Sequence, residues 1–165
     1  MKVYHGSSTV IKTPEILDSQ RLLDFGMGFY TTSSRVQAEN WAVIKQKRLG
    51  KNASAVVTVY EVNEDIFISA KYAVKIFSKA NEEWLDFIVA NRREYIQHPF
   101  DIVKGVVAND TLYSTLSLFE AGVLTKAETI TRLKTHKLFD QISFHNPKVL
   151  TELNFIDSYK VESAK

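Results

Sequence analysis

The run SAVVTVYEVN at 54–63 is apolar and β-branched almost throughout, which predicts a strand covered on both faces. KVYHGS at 2–7 reads as a short strand ending in a Gly-Ser turn, and a polar stretch with a proline follows it. LDFGMGFYTT places Gly26 and Gly28 around Met27 just ahead of the β-prone FYTT. Ser33 or Ser34 is the predicted N-cap of a helix through SRVQAENWAVIKQKRLG, with Gly50 as its stop. Its apolar face is expected from Ala38, Trp41, Ala42 and the stretch from Ile44 to Leu49. YAVKIF is a further predicted strand. In NEEWLDFIVANRRE, Trp84, Phe87, Ile88 and Val89 recur at helical spacing behind an acidic first turn. DIVKGVVA predicts a strand, TLYSTLSLFEAG a helix ending at Gly122, and KAETITRLKTH another helix. QISF is a short strand, NPKVLTEL a helical turn, and NFIDSYKV the last strand. Strands dominate both ends and helices cluster between them, so the expected class is α+β rather than a regular βαβ array. No repeat, low-complexity tract or linker interrupts the chain, and one domain over residues 1–165 is expected.

Composition narrows the function classes. A chain of 165 residues, 45% hydrophobic and 24% charged, can bury a continuous core. With 21 basic and 19 acidic residues the net charge is +2, which lacks the basic excess expected of a binder of duplex DNA or of an anionic membrane. The absence of cysteine excludes disulfides, cysteine zinc sites and a thiol nucleophile. MKVYHGSSTV has no apolar signal region, and no run approaches a membrane span, so the cytosol is the expected compartment. His5, His98, His136 and His145 show no metal-ligand spacing, and no metal is expected. Neither a Gly-x-Ser-x-Gly elbow nor a Walker A loop occurs.

Three stretches stand out for chemistry: YHGS at 4–7, FGMGFYTT at 25–32 and DQISF at 140–144. Each sets a polar or aromatic side chain on or beside a strand near a turn-prone residue. Their order resembles the ADP-ribosyltransferases whose signature is His, then Tyr, then usually Glu, each on a different strand. With NEEWLDFIVANRRE, FDIVKGVVAND and DQISFHNPKVLTELNFI, nearly the whole chain is similar to a family of small bacterial proteins of unknown function grouped with those transferases. The resemblance implies an ADP-ribosyltransferase-like fold, with split mixed sheets flanked by helices around an NAD cleft.

It also implies a set of roles. His5 would bond the adenosine ribose, the Gly6 backbone would hold the carboxamide, and Tyr30 would lay its face on the nicotinamide. An aromatic face on a pyridinium contributes about 0.5–2 kcal/mol. Ser7 and Gly28 would join them in binding the cofactor, and Arg92, or its neighbour Arg93, is the implied partner of the NAD pyrophosphate. The third catalytic position falls on Gln141 where the family has Glu. Glutamine can bond a ribose hydroxyl but carries no charge to stabilise the cation that develops as nicotinamide leaves. Asp140 is adjacent, yet in a strand it is expected to face the other way. Asp101 and Asp110 are candidates to orient a target or the arginine.

The same residues have plainer readings. A histidine at a strand end is commonly a structural hydrogen-bonding group, and a tyrosine in a β-prone run commonly packs on the sheet. GMG lacks the third glycine and following helix of a dinucleotide loop and fits a turn. Arg92 and Arg93 suit the C-terminal dipole of their helix. Trp41 and Trp84, on apolar helical faces, are expected in the core. The leading functional expectation is a mono-ADP-ribosyltransferase that moves ADP-ribose from NAD to a macromolecule. By the same resemblance it would be a toxin of a toxin–antitoxin or phage-defence module, neutralised by a small protein antitoxin. The alternatives are an NAD glycohydrolase and a non-catalytic NAD-binding module. A nucleic-acid-binding module without an NAD site draws little support from the charge.

Overall fold

The computed structural model describes residues 1–17, 23–50, 52–93, 97–106, 110–134 and 139–162, with side chains described outside 110–112 and 134. Among the described residues, seven strands form two sheets. Strands β1 (Lys2–Ser7), β3 (Val56–Glu61) and β7 (Asn154–Lys160) make an antiparallel sheet in the order β1-β3-β7. Strands β2 (Phe29–Thr31), β4 (Val74–Ile76), β5 (Ile102–Val106) and β6 (Asp140–Phe144) make a mixed sheet in the order β2-β6-β5-β4, parallel only between β4 and β5. That parallel pair is joined through helix α2 (Glu82–Arg93), the kind of crossover a parallel pair requires. The remaining helices are α1 (Arg35–Leu49), α3 (Asp110–Glu120), α4 (Lys126–Lys134) and the short α5 (Pro147–Leu150).

The layers follow from which side chains each face buries. Val3, Phe29, Tyr60, Ile102, Ile142 and Phe144 pack between the two sheets. Val103, Trp84, Leu85, Ile88, Leu116 and Leu133 fill the space between the mixed sheet and α2, α3 and α4. On the far side, Val57 and Val59 meet Ala38 and Ala42 of α1. Strand β3 therefore has a covered surface on both faces, which is why its sequence is nearly continuous in apolar residues. The class is α+β, with mixed sheets flanked by helices.

Local signals hold where they rest on backbone chemistry. Ser34 caps α1 by accepting from the Gln37 N–H, and Gly50 ends it at φ 99°. The apolar face expected of α1 is a correction: only Gln37, Ala38 and Ala42 are buried, and Leu49 is exposed. Small residues are what the sheet admits there, because the helix axis lies too close for larger ones. Trp41 is likewise half-buried rather than core, whereas Trp84 is fully buried with its indole N–H donating to the Val106 carbonyl. Arg92 and Arg93 lie in the last turn of α2. His136 and the Asp110 side chain fall outside the described residues.

Candidate functional site

Among the described residues, one isolated backbone bridge links the two sheets. Tyr4 donates to the Thr32 carbonyl at 2.9 Å and accepts from the Thr32 N–H at 3.0 Å, an isolated bridge between β1 and the residue after β2. In an antiparallel ladder alternate residues turn their N–H and C=O to the same edge. Gly6, two residues beyond Tyr4, therefore presents its N–H and C=O to the gap between the sheets. A cleft of about 560 Å³ opens there, within the range of small-molecule and cofactor sites. Five of the residues expected at a site line it: His5, Gly6, Gly28, Tyr30 and Gln141.

His5 is held from two sides. Its ring stacks on Phe29 with centroids 4.5 Å apart, and Nδ1–H donates to the Tyr30 carbonyl at 2.6 Å. A carbonyl only accepts, so Nδ1 carries the proton and Nε2 has a lone pair. That Nε2 is sealed from solvent without a hydrogen-bond partner. Burial lowers the His5 pKa to about 4, the charge of Lys45 adds to the shift, and the Tyr30 carbonyl opposes it. At neutral pH His5 is an acceptor, not an acid.

Tyr30 follows a turn built on glycine. Gly26 has φ 83°, a conformation that suits glycine, and its N–H closes the turn on the Leu23 carbonyl at 3.0 Å. The Tyr30 hydroxyl donates to the Gly26 carbonyl at 2.5 Å and accepts from the Phe25 N–H at 3.2 Å. Burial, with the nearby Asp24 adding, keeps that hydroxyl protonated well beyond its usual range. Two histidines clamp the same turn: His98 Nε2–H donates to the Phe25 carbonyl at 2.8 Å and His145 Nδ1–H to the Met27 carbonyl at 2.6 Å. Sequence reasoning weighed His98 and His145 only as metal ligands. Among the described residues no three of His, Cys, Asp or Glu come together as a metal cluster.

Gln141 enters from β6, opposite Gly105 in the register, and its Oε1 is buried without a hydrogen-bond partner. Asp140 also lines the cleft, contrary to the expectation from strand alternation. It is the first residue of β6, where its carboxylate turns back to accept from Thr32 Oγ1, Ser33 N and Ser33 Oγ, at 2.9–3.0 Å. That contact makes it a clip on the corner leading into α1.

Ser7 and Arg92 are not brought into the cleft. Ser7 is buried and donates to the Thr9 carbonyl. Arg92 sits one layer back, its Nε 3.9 Å from both Asp24 and Glu120 and its guanidinium 4.6 Å from the centre of the Tyr113 ring. Asp24 and Tyr113 are the residues that reach the cleft wall. Asp101 orients neither Arg92 nor the cleft. Its carboxylate accepts from Ala73 N and Asn146 Nδ2, both at 2.9 Å. The polar stretch that follows β1 lines the cleft through Thr9, Ile11, Thr13, Glu15 and Leu17, while 18–22 lie outside the described residues. It is tied to the β3 strand by Tyr60 Oη–H donating to the Ile11 carbonyl and by Ile11 N–H donating to Thr58 Oγ1.

The residues that sequence reasoning missed lie on α1. Trp41, Lys45 and Arg48 line the cleft beside Gln37. Positions 37, 41, 45 and 48 share one helical face, a spacing visible in the sequence, and Trp41 belongs to this face rather than to the core.

The buried histidines predict acid lability. His145, like His5, is lowered to about 4, chiefly by burial and further by His98, against the raising effect of the Met27 carbonyl and Asp101. For a histidine lowered from 6.5 to about 4 on folding, the unfolded chain takes up protons first as pH falls. Stability is therefore complete above pH 6.5 and declines between 6.5 and 4. The expected loss is on the order of 3 kcal/mol per histidine. Urea midpoints measured at pH 7, 5.5 and 4 should fall accordingly, and His5→Gln with His145→Gln should flatten that slope. A midpoint level across the window in the unsubstituted protein would contradict it.

No helix of the described residues is long and apolar enough to cross a membrane. No curated protein matches the chain, and no solved structure matches its fold. A family model does match, over residues 1–155, and the chain belongs to that family, described as "Protein of unknown function (DUF3990)".

Proposed function

We propose that this protein is a mono-ADP-ribosyltransferase with an ADP-ribosyltransferase-like fold, which binds NAD in the cleft between the sheets and transfers ADP-ribose to a macromolecule. The observation that carries the reading is that two residues lining one cleft, His5 and Gln141, each hold a buried acceptor without a hydrogen-bond partner, beside Tyr30 and the outward backbone of Gly6. A buried polar atom left without a partner is costly, of order 1–3 kcal/mol, and two of them in residues of one cleft favour a ligand that brings hydroxyl donors. The two riboses of NAD carry such donors, and its carboxamide matches one N–H and one C=O on a strand edge.

In this reading the carboxamide pairs with Gly6 and the nicotinamide lies on the Tyr30 face. His5 Nε2 accepts from the adenosine ribose, and Gln141 Oε1 from a hydroxyl of the nicotinamide ribose. The ribose C1′–N bond breaks with its electron pair on nicotinamide, which becomes neutral. The acceptor's lone pair forms the new bond to C1′, and the acceptor's proton passes to bulk solvent. The protein's part is placement and the exclusion of water. As a bacterial toxin of a toxin–antitoxin or phage-defence module it would have a small protein antitoxin as partner, and its unrestrained expression should arrest growth.

The uncharged Gln141 favours a second reading, an NAD-binding module without turnover. Adenine-labelled NAD incubated with bacterial lysate separates the possibilities. Label on polymer marks the transferase, and digestion with protease or nuclease names the acceptor. Free ADP-ribose marks a glycohydrolase, and bound NAD without nicotinamide release marks the module. Gln141→Glu is expected to raise nicotinamide release about tenfold, because a charge-assisted bond to the ribose is roughly twice as strong as a neutral one. It should also cost about 1–3 kcal/mol of stability, since the carboxylate enters a buried place without a donor. A fall in nicotinamide release in that variant would remove Gln141 from the ribose.

A further inference from the structure

Lys45 is half-buried in the wall of the cleft, and Arg48 stands one turn further along α1. Neither forms an ion pair with a described residue, although α1 makes one elsewhere, between Arg35 and Glu39. The carboxylates that reach the cleft and have described partners are used otherwise: Asp24 lies beside Arg92, and Asp140 holds Thr32 and Ser33. The third, Glu15, pairs with neither cation. The Arg48 guanidinium lies 5.8 Å from the centre of the Trp41 ring, another cleft residue. Burial, with the Arg48 charge behind it, lowers the Lys45 pKa. A cation that is partly desolvated, repelled by its neighbour and without a counterion is unfavourable in isolation. It becomes favourable when a doubly charged anion arrives.

We propose that Lys45 and Arg48, with Trp41 beside them, form an anion subsite on α1 that takes the diphosphate of the dinucleotide. This rests on the NAD reading above for the identity of the ligand, and on the geometry of α1 for the place. It moves the diphosphate from Arg92, which is occupied behind the cleft wall, to the helix that lines the cleft. The placement fits the distribution of the other groups. His5, whose Nε2 awaits a ribose hydroxyl, feels the charge of Lys45. The diphosphate thus sits next to the ribose that His5 would hold.

The subsite is tested by titrating the full-length protein with inorganic pyrophosphate, ADP-ribose, NAD, adenosine and nicotinamide. Heat and tryptophan fluorescence are the readouts. Trp41 lies at the subsite, whereas Trp84 is fully buried in the core and supplies a constant background. Lys45→Met and Arg48→Met are each expected to weaken ADP-ribose about tenfold, the range of a lost charge-assisted hydrogen bond. They should leave adenosine and nicotinamide unchanged and make ADP-ribose affinity less dependent on salt. Lys45→Met should also melt at the wild-type temperature or above it without ligand, since the substitution removes a poorly solvated charge. A merely structural lysine would give a lower one. Unchanged ADP-ribose affinity in the double variant overturns the subsite and leaves the NAD reading standing. Pyrophosphate binding that depends on Lys45 and Arg48, in a protein that takes neither NAD nor ADP-ribose, keeps the subsite and sinks the NAD reading. A wild-type protein that binds neither pyrophosphate nor ADP-ribose overturns both.

Discussion

Gly6→Ala is expected to lower the free energy of unfolding by about 3 kcal/mol, the upper end of what overpacking costs in a close-packed interior. A Cβ at Gly6 would stand 2.1 Å from the Ala38 carbonyl oxygen and 2.8 Å from the Ala42 nitrogen, both backbone atoms of α1. No rotamer change relieves contact with a backbone, so the helix itself must retreat from β1. For a domain of this size each kcal/mol shifts the melting temperature by about 2–4 °C, which makes the expected drop about 6–12 °C. Because α1 carries Gln37, Trp41, Lys45 and Arg48 into the cleft, the same retreat should weaken ligand binding. Thermal and urea melts check the first part. A loss below about 1 kcal/mol would mean that α1 moves away from β1 at little cost. Gly28 is constrained in a similar way, since a Cβ there would meet the Phe144 carbonyl at 2.7 Å and His145 Nδ1 at 2.8 Å.

For the transferase proposed above, Tyr30→Ala is expected to reduce transfer of ADP-ribose from NAD at least a hundredfold. Two losses combine. The ring face proposed to cover the pyridinium disappears, worth up to about 2 kcal/mol when desolvated. The phenol also ties the turn at Phe25 and Gly26 to β2, and losing that tie loosens the cleft floor, where a small misplacement of reacting groups costs about a hundredfold in rate. Tyr30→Phe separates them, since it keeps the ring and loses only the hydroxyl. Its transfer is expected within about tenfold of wild type. Transfer at the wild-type rate in Tyr30→Ala would remove Tyr30 from the chemistry and with it the main support for nicotinamide stacking.

The element types and their order were legible along the chain because their causes are local. The Ser34 cap, the stop at Gly50 and the covered character of β3 are read from neighbouring residues, and each stands where the sequence puts it. The residues proposed to contact NAD were partly legible for the same reason. His5, Gly6, Gly28, Tyr30 and Gln141 lie in strand-and-turn motifs, and all five line one cleft. Where the reading went astray, the deciding fact was a distance across the fold. Trp41 has the helical spacing of a core residue, yet β1 approaches α1 so closely at Gly6 that only Ala38 and Ala42 fit between them, and Trp41 is left on the cleft wall. Arg92 has the chemistry for a phosphate, but Asp24 and Glu120 converge on it from elsewhere in the chain. Asp140 obeys strand alternation only until the strand ends, and there Thr32 and Ser33 draw its carboxylate round.

By itself, then, the sequence determined the α+β class, the order of elements and the short motifs that present a histidine, a tyrosine and a glutamine. These depend on propensity, capping and periodicity, which act over a few residues. The tertiary structure alone decided that the sheets are bridged at Tyr4 and Thr32, and that the Gly6 backbone faces the cleft between them. It also decided that Lys45 and Arg48 line that gap without a carboxylate partner among the described residues. Which charges are paired, and which backbone edges stay open, depends on groups far apart in the chain arriving within a few ångströms of each other, and no local pattern encodes that arrival.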